Sequence, residues 1–207
     1  MPGMAIAEAL RRLRSDVDVR WVGATGGIEE GLVRSAGIPF VSIHAGKLNR
    51  FVSAKTVRDL AMVPLGCIEA LCVMRRLRPD VVLTVGGYVA VPAGLAAWAA
   101  RVPLVVHQQD VVPNLANRLL APVATCVTVS FARSASLVRA KRVFVDGNPI
   151  RRELFAGDVV RGRVTYGARE GDCVVLVLGG SQGARGINEA VFGALPSLLE
   201  ETTVVHM

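Results

Sequence analysis

The sequence predicts an α/β fold of two units, each a mostly parallel sheet with helices on its faces. Three observations predict it. Short apolar runs rich in β-branched residues, such as Val81–Val85 (VVLTV), Leu104–His107 (LVVH) and Cys173–Leu178 (CVVLVL), alternate with segments of helical spacing. That alternation is the pattern of strand–helix–strand units. Two runs end in glycine turns, Gly86-Gly87-Tyr88 and Gly179-Gly180-Ser181-Gln182-Gly183, each followed by a helical pattern. Charge also divides the chain: residues 1–148 carry 18 Lys and Arg against 10 Asp and Glu, while residues 149–207 carry 6 against 7.

In chain order, Pro2 suits the first turn of a helix, with Ile6, Leu10 and Leu13 as its apolar stripe and Arg11, Arg12 and Arg14 outside. Val17–Gly23 alternates and reads as a strand. Sheets of this class ordinarily open with a strand and a phosphate turn before the first helix. A first strand and loop are therefore expected ahead of Met1. Gly23–Gly27 is a loop, Ile28–Ala36 a short helix and Ile38–Ile43 a strand. Lys47–Phe51 mixes cations with apolar tips, a composition suited to a membrane surface. Ser53–Arg78 is a long helix whose Arg75, Arg76 and Arg78 complement the dipole at its end, and Pro79 stops it. The 20 uncharged residues Val81–Ala100 pass the length test for a membrane span. Gly86, Gly87, Pro92 and Gly94 instead divide them into strand, turn and helix.

Leu104–His107 runs into the polar cluster His107-Gln108-Gln109-Asp110 at the carboxyl edge of a strand, where parallel sheets bind ligands. Asn114–Leu120 reads as a helix, and Thr125–Val129 and Arg142–Val145 as strands. The turn Gly147–Arg151 ends the first unit, giving domains at 1–151 and 152–207. Arg152–Gly171 reads as a linker. Cys173–Leu178 reads as a strand buried on both faces. Ala184, Ile187, Val191, Leu195 and Leu198 then mark a helix, and Thr202–Met207 another strand.

A strand, a glycine turn and a helix in succession aim free backbone N–H groups at an anion, and Ser181 and Gln182 add side-chain donors. The second turn is no Walker loop, since no Lys-Ser or Lys-Thr follows its last glycine, and it lacks the G-x-G-x-x-G spacing. The four cysteines lie in apolar segments without metal-ligand spacing, so free thiols are expected, with no metal and no cofactor. An excess of cations can face anionic lipid or an anionic substrate. Nucleic acid is disfavoured because aromatics make up 5% of the chain and no recognised module is present.

GGYVAVPAG at Gly86–Gly94, HQQDVVPNLANRLLA at His107–Ala121, GNPIR at Gly147–Arg151 and GGSQGARGIN at Gly179–Asn188 resemble, in this order, the motifs of the MurG family of bacterial transferases. The resemblance covers essentially the whole chain. It implies a GT-B fold, two Rossmann-like domains. The implied reaction is inverting transfer of N-acetylglucosamine from UDP-N-acetylglucosamine to lipid I, without a metal. The implied location is peripheral, on the cytoplasmic face of the cell membrane. Carried over by motif, Gly86, Gly87, Tyr88, His107, Gln109 and Asn117 are acceptor-binding, and Asp110, Arg151, Ser181, Gln182 and Asn188 are donor-binding. Two positions depart: the family usually has Glu where Gln108 stands and Asn where Asp110 stands. An ionised Asp only accepts hydrogen bonds, which suits a diphosphate poorly. The family's first loop, G-x-T-G-G-H, carries the candidate catalytic base and would fall just ahead of Pro2, so the chain reads as a fragment expected to be inactive alone. Two alternatives stay open: another GT-B nucleotide-sugar transferase, or a non-catalytic module that keeps the membrane and acceptor surface.

Overall fold

A computed structural model describes residues 2–45, 54–179 and 183–207, with side chains from residue 64 onward in the helix that starts at Ala54. The expectations for Ser181, Gln182 and the loop Lys47–Phe51 lie outside the described residues. The chain divides into two compact units, Met1–Arg151 and Arg152–Met207.

The first unit runs α1 (Pro2–Leu13), β1 (Trp21–Ala24), α2 (Glu29–Ser35), β2 (Phe40–Ile43), α3 (Ala54–Leu77), β3 (Val82–Thr84), α4 (Ala90–Ala99), β4 (Leu104–Gln108), α5 (Leu115–Leu120), β5 (Cys126–Val129), α6 (Ala132–Ala135) and β6 (Val143–Val145). The stretch Val81–Ala100 is thus β3, a glycine turn and α4. Among the described residues no helix is long and apolar enough to cross a membrane.

All strand pairs are parallel, as helical crossovers between strands require. The strands of the first unit form two sheets, β1-β2 and β3-β4-β5-β6, rather than one. Helices bridge them. Ala70 and Met74 of α3 and Ala96 of α4 pack with Ile43 and Val22 of the small sheet and with Val82 of the large one. The large sheet has its own core, where Leu104, Val106, Val127 and Val129 meet Ala90 and Ala97 of α4 and Leu120 of α5. Alanines on α4 let the helix lie close to β-branched strand residues, and this packing fixes the carboxyl edge of β3, β4 and β5.

Four expectations change. The buried residues of α1 are Gly3, Ala5 and Ala7, and Leu10 and Leu13 are exposed. At Gly3 the Trp21 ring stands where a Cβ would go, which leaves no room for a larger side chain. The expected linker holds a 3-10 turn at Arg152–Phe155 and the helix α7 (Val159–Tyr166). Asp158 caps α7 by accepting the Arg161 N–H, and Gly167 ends it in the left-handed conformation at φ 68°. In the second unit β7 (Val174–Val177) pairs with β8 (Thr203–His206) and is followed by α8 (Arg185–Glu201). Strand β7 buries one face only: Val177 is buried, while Val174 and Leu176 are exposed. The half-buried stripe of α8 contains Asn188 where Ile187 was expected.

Candidate functional site

The site is assembled where β3 and β4 end. Residues alternate between faces along a strand, so His107 and Gln108 leave β4 on opposite sides of the sheet. His107 is level with Thr128 of β5, and its Nδ1 lies 2.7 Å from the Thr128 hydroxyl. Gln108 is wholly buried. Its Nε2 donates to the carbonyls of Asp110 at 2.8 Å and Val112 at 3.2 Å, which folds the chain tightly after the strand. Its Oε1 accepts from Asn117 Nδ2 at 2.7 Å, and the same Asn117 nitrogen donates to the His107 carbonyl at 3.1 Å. Asn114 caps α5 by accepting the Asn117 N–H at 2.9 Å, the ordinary role of Asn at a helix start. The Ser134 hydroxyl adds a 3.3 Å bond to the Asp110 carbonyl.

This network is joined to the first glycine turn. Gln109 Nε2 donates to the Val85 carbonyl at 2.8 Å, tying the end of β4 to the residue before Gly86. Gly86 and Gly87 adopt φ of 88° and 91°, a region that side chains rarely tolerate. A Cβ on Gly86 would stand 2.9 Å from Asn114 Nδ2, whereas a Cβ on Gly87 would meet open space. Turn, strand end and helix cap are therefore one rigid body with the Gly87 side open.

His107, Gln108 and Asn117 are buried and Tyr88 is half exposed. Gln109 is partly exposed, and Asp110 and Arg151 are exposed. Gly86, Gly87, His107, Gln109 and Asn117 thus converge at one edge of the sheet. The turn backbone, Tyr88 and Gln109 are the parts of this edge that solvent reaches, whereas Asn117 is buried. His107 Nε2 and Asn117 Oδ1 have no hydrogen-bond partner among the described residues. In the second unit, Gly183 stands at φ 75° ahead of α8, and Asn188 lies in the first turns of that helix with its Oδ1 3.0 Å from His206 Nε2.

The loop Gly23–Gly27 carries its own anion. Glu29 Oε1 accepts the Ala24 N–H at 3.4 Å, and a Cβ on Gly27 would fall 2.6 Å from the Glu29 carboxylate. That carboxylate packs against the loop backbone and closes the loop on itself. Sequence reasoning also missed a pair that ties β2 to α3. Glu69 accepts the His44 N–H at 2.6 Å through Oε2 and meets His44 Nδ1 at 2.7 Å through Oε1. The His44 N–H is the main cause that holds the Glu69 carboxyl below its ordinary 4.5, with burial opposing and the imidazole assisting. Gly66 of α3 has no side chain because the His44 carbonyl stands where its Cβ would be. The four cysteines are free, and no cluster of three or more His, Cys, Asp or Glu among the described residues could hold a metal.

Residues 1–129 match the glycosyltransferase family 28 N-terminal domain. The chain belongs to glycosyltransferase family 28. A relative from Bacillus cereus, named UDP-N-acetylglucosamine--N-acetylmuramyl-(pentapeptide) pyrophosphoryl-undecaprenol N-acetylglucosamine transferase 2, is 35% identical over 206 residues, covering 100% of this chain and 58% of the relative. A transferase of the same kind from Lachnoclostridium phytofermentans is 36% identical over the same span. This family 28 chain therefore spans well under two thirds of the length of the curated relatives it matches. Among solved structures, Acinetobacter baumannii MurG aligns with TM-score 0.67 and 25% identity over 100% of this chain and 54% of that one. S. aureus MnaA, solved with UDP, aligns with TM-score 0.65 and 16% identity over 99% of this chain and 58% of that one, a likeness of fold alone.

Proposed function

We propose that this chain carries the acceptor-side domain, and the start of the donor domain, of an inverting transferase that moves N-acetylglucosamine from UDP-N-acetylglucosamine to lipid I. The observation that carries the reading is the open glycine turn Gly86-Gly87, braced by Gln109 and the Asn114 cap at the carboxyl edge of the sheet, in a family 28 chain. A diphosphate can approach that backbone as closely as no side chain would allow. The acceptor diphosphate is assigned to this turn, with Tyr88 and Gln109 beside it and His107 and Asn117 supporting it. The donor is assigned to the second unit, where the N–H groups at the start of α8 and Asn188 suit a diphosphate; the motif resemblance adds Ser181, Gln182, Arg151 and Asp110 as donor residues. In such a transfer the acceptor hydroxyl passes its proton to a general base as its oxygen attacks the anomeric carbon. The bond from that carbon to the UDP oxygen breaks on the opposite face. Hydrogen-bond donors around the departing diphosphate stabilise its growing charge, and this reading needs no metal.

Amide NMR of the chain tests the assignment. Titration with a short-chain prenyl diphosphate should move the Gly86, Gly87 and Tyr88 amides, and titration with UDP-N-acetylglucosamine should move those of Gly183 to Asn188. Interchanged responses would reverse the two turns, and no response to either compound would leave only the non-catalytic module.

The same reading places the first unit on an anionic membrane surface. Its excess of cations, 18 against 10 over residues 1–148, supports this, since each cation near such a surface contributes about 1 kcal/mol. Sedimentation with vesicles rich in phosphatidylglycerol should capture the chain at low salt and release it as salt rises. Equal capture by neutral phosphatidylcholine vesicles would remove the electrostatic argument.

A further inference from the structure

In the second unit, β8 runs parallel to β7 with His206 level with Val177, and the Met207 N–H bonds the Val177 carbonyl at 3.1 Å. His206 therefore stands at the carboxyl edge of this sheet, level with the last residue of β7. Its ring is held at two points. Nε2 lies 3.0 Å from Asn188 Oδ1. The ring also meets Phe192 edge to face, with centroids 5.5 Å apart and planes at 88°. Asn188 and Phe192 are four residues apart on α8 and so share a helix face. Strand end and helix start thus clamp one imidazole between a polar and an aromatic contact.

The clamp has a chemical consequence. A side-chain amide can turn either its oxygen or its nitrogen toward a ligand, and only the nitrogen suits an anionic oxygen. Asn188 Oδ1 can only accept, so the contact forms with the tautomer that has its proton on His206 Nε2, and the Asn188 Nδ2 with its two N–H donors is then the end left for a ligand. We propose that His206 is a positioning residue for the nucleotide-diphosphate site: it orients the Asn188 amide so that its donors, not its oxygen, face the diphosphate. The proposal rests on the donor assignment of the second unit made above.

The test uses the whole chain and UDP as the probe. His206→Phe keeps a ring against Phe192 and removes the Nε2–H. It should weaken UDP binding about tenfold, the effect of one hydrogen bond between a donor and a charged group. Asn188→Ala should weaken binding by a similar factor. The double variant should be little worse than either single one, because both changes remove the same contact. Side-chain NMR separates positioning from mere packing: the Asn188 amide protons should shift on UDP addition in the parent chain and not in His206→Phe at unchanged melting temperature. Binding by His206→Phe within twofold of the parent would overturn the proposal while leaving the donor assignment intact. No UDP-dependent shift anywhere in the second unit of the parent chain would instead remove the donor assignment, and this proposal with it.

Discussion

Gln108→Glu should destabilise the first unit by about 3–5 kcal/mol at pH 8, the range found when a buried charge is left without a partner, and by much less near pH 4. The Gln108 side chain is wholly buried, and its Nε2 donates to two backbone carbonyls, those of Asp110 and Val112. An ionised carboxylate cannot donate, and it would bring negative charge against both oxygens. A neutral acid carries one O–H and could satisfy one of them. Burial therefore favours the protonated form and raises the carboxyl pKa in the folded state above its unfolded value of about 4.3. With the folded pKa raised, the folded chain holds its proton more tightly than the unfolded one. The variant then loses stability as pH climbs from about 4.3 to the raised value, and the loss is complete above it. Urea midpoints at pH 4.5, 6 and 8 would show the gap from the parent widening with pH. Equal midpoints at pH 8 would mean that the loop after β4 does not depend on these two bonds. The resemblance made this position a departure, because Glu is usual there; in this chain the amide is what closes the loop.

That example marks the border between what the residues made legible and what they did not. The strands of the large sheet were readable because both faces of β4 and β5 are covered, so continuous apolar runs and buried strands coincide. The glycine turn after β3 was readable because Gly86 and Gly87 need a backbone conformation that few other residues take. Gly86, Gly87, His107, Gln109 and Asn117 lie at one sheet edge, yet their exposure was hidden. A sequence does not say that Asn117 lies under the sheet edge while Tyr88 stands in solvent. Helix α7 was missed because it has eight residues, none of them buried, so no stripe announces it; its signals were the cap Asp158 and the left-handed Gly167. The inward face of α1 was missed for the opposite reason, since Ala5 and Ala7 carry no pattern that outweighs Leu10 and Leu13. Glu69 with His44 and His206 with Asn188 join residues 25 and 18 positions apart, and no local spacing predicts such pairs. Glu29 in the loop Gly23–Gly27 is nearer, but only the backbone fold brings its carboxylate to the Ala24 N–H.

Alanine at each of the two turn glycines should separate shape from binding. Gly86→Ala meets two costs. Its φ of 88° is disfavoured for a residue with a Cβ by about 1–2 kcal/mol. Its methyl would also stand 2.9 Å from Asn114 Nδ2, pushing aside the residue that caps α5, and a lost cap costs about 1 kcal/mol. A total near 2–3 kcal/mol is expected as a fall in urea midpoint, because cap and turn belong to the same braced edge. Gly87→Ala meets the first cost alone, at φ of 91° with nothing within 4 Å of the added carbon. Its stability should fall by about 1–2 kcal/mol. Its methyl, however, points into the open side through which a diphosphate would reach the backbone. Binding of a short-chain prenyl diphosphate should therefore fall more steeply for Gly87→Ala than its stability does, at a temperature where both variants stay folded. If Gly87→Ala binds that probe as well as the parent does, the open face of the turn is not where the acceptor diphosphate sits. If Gly86→Ala is no less stable than Gly87→Ala, the Asn114 contact does not brace the turn.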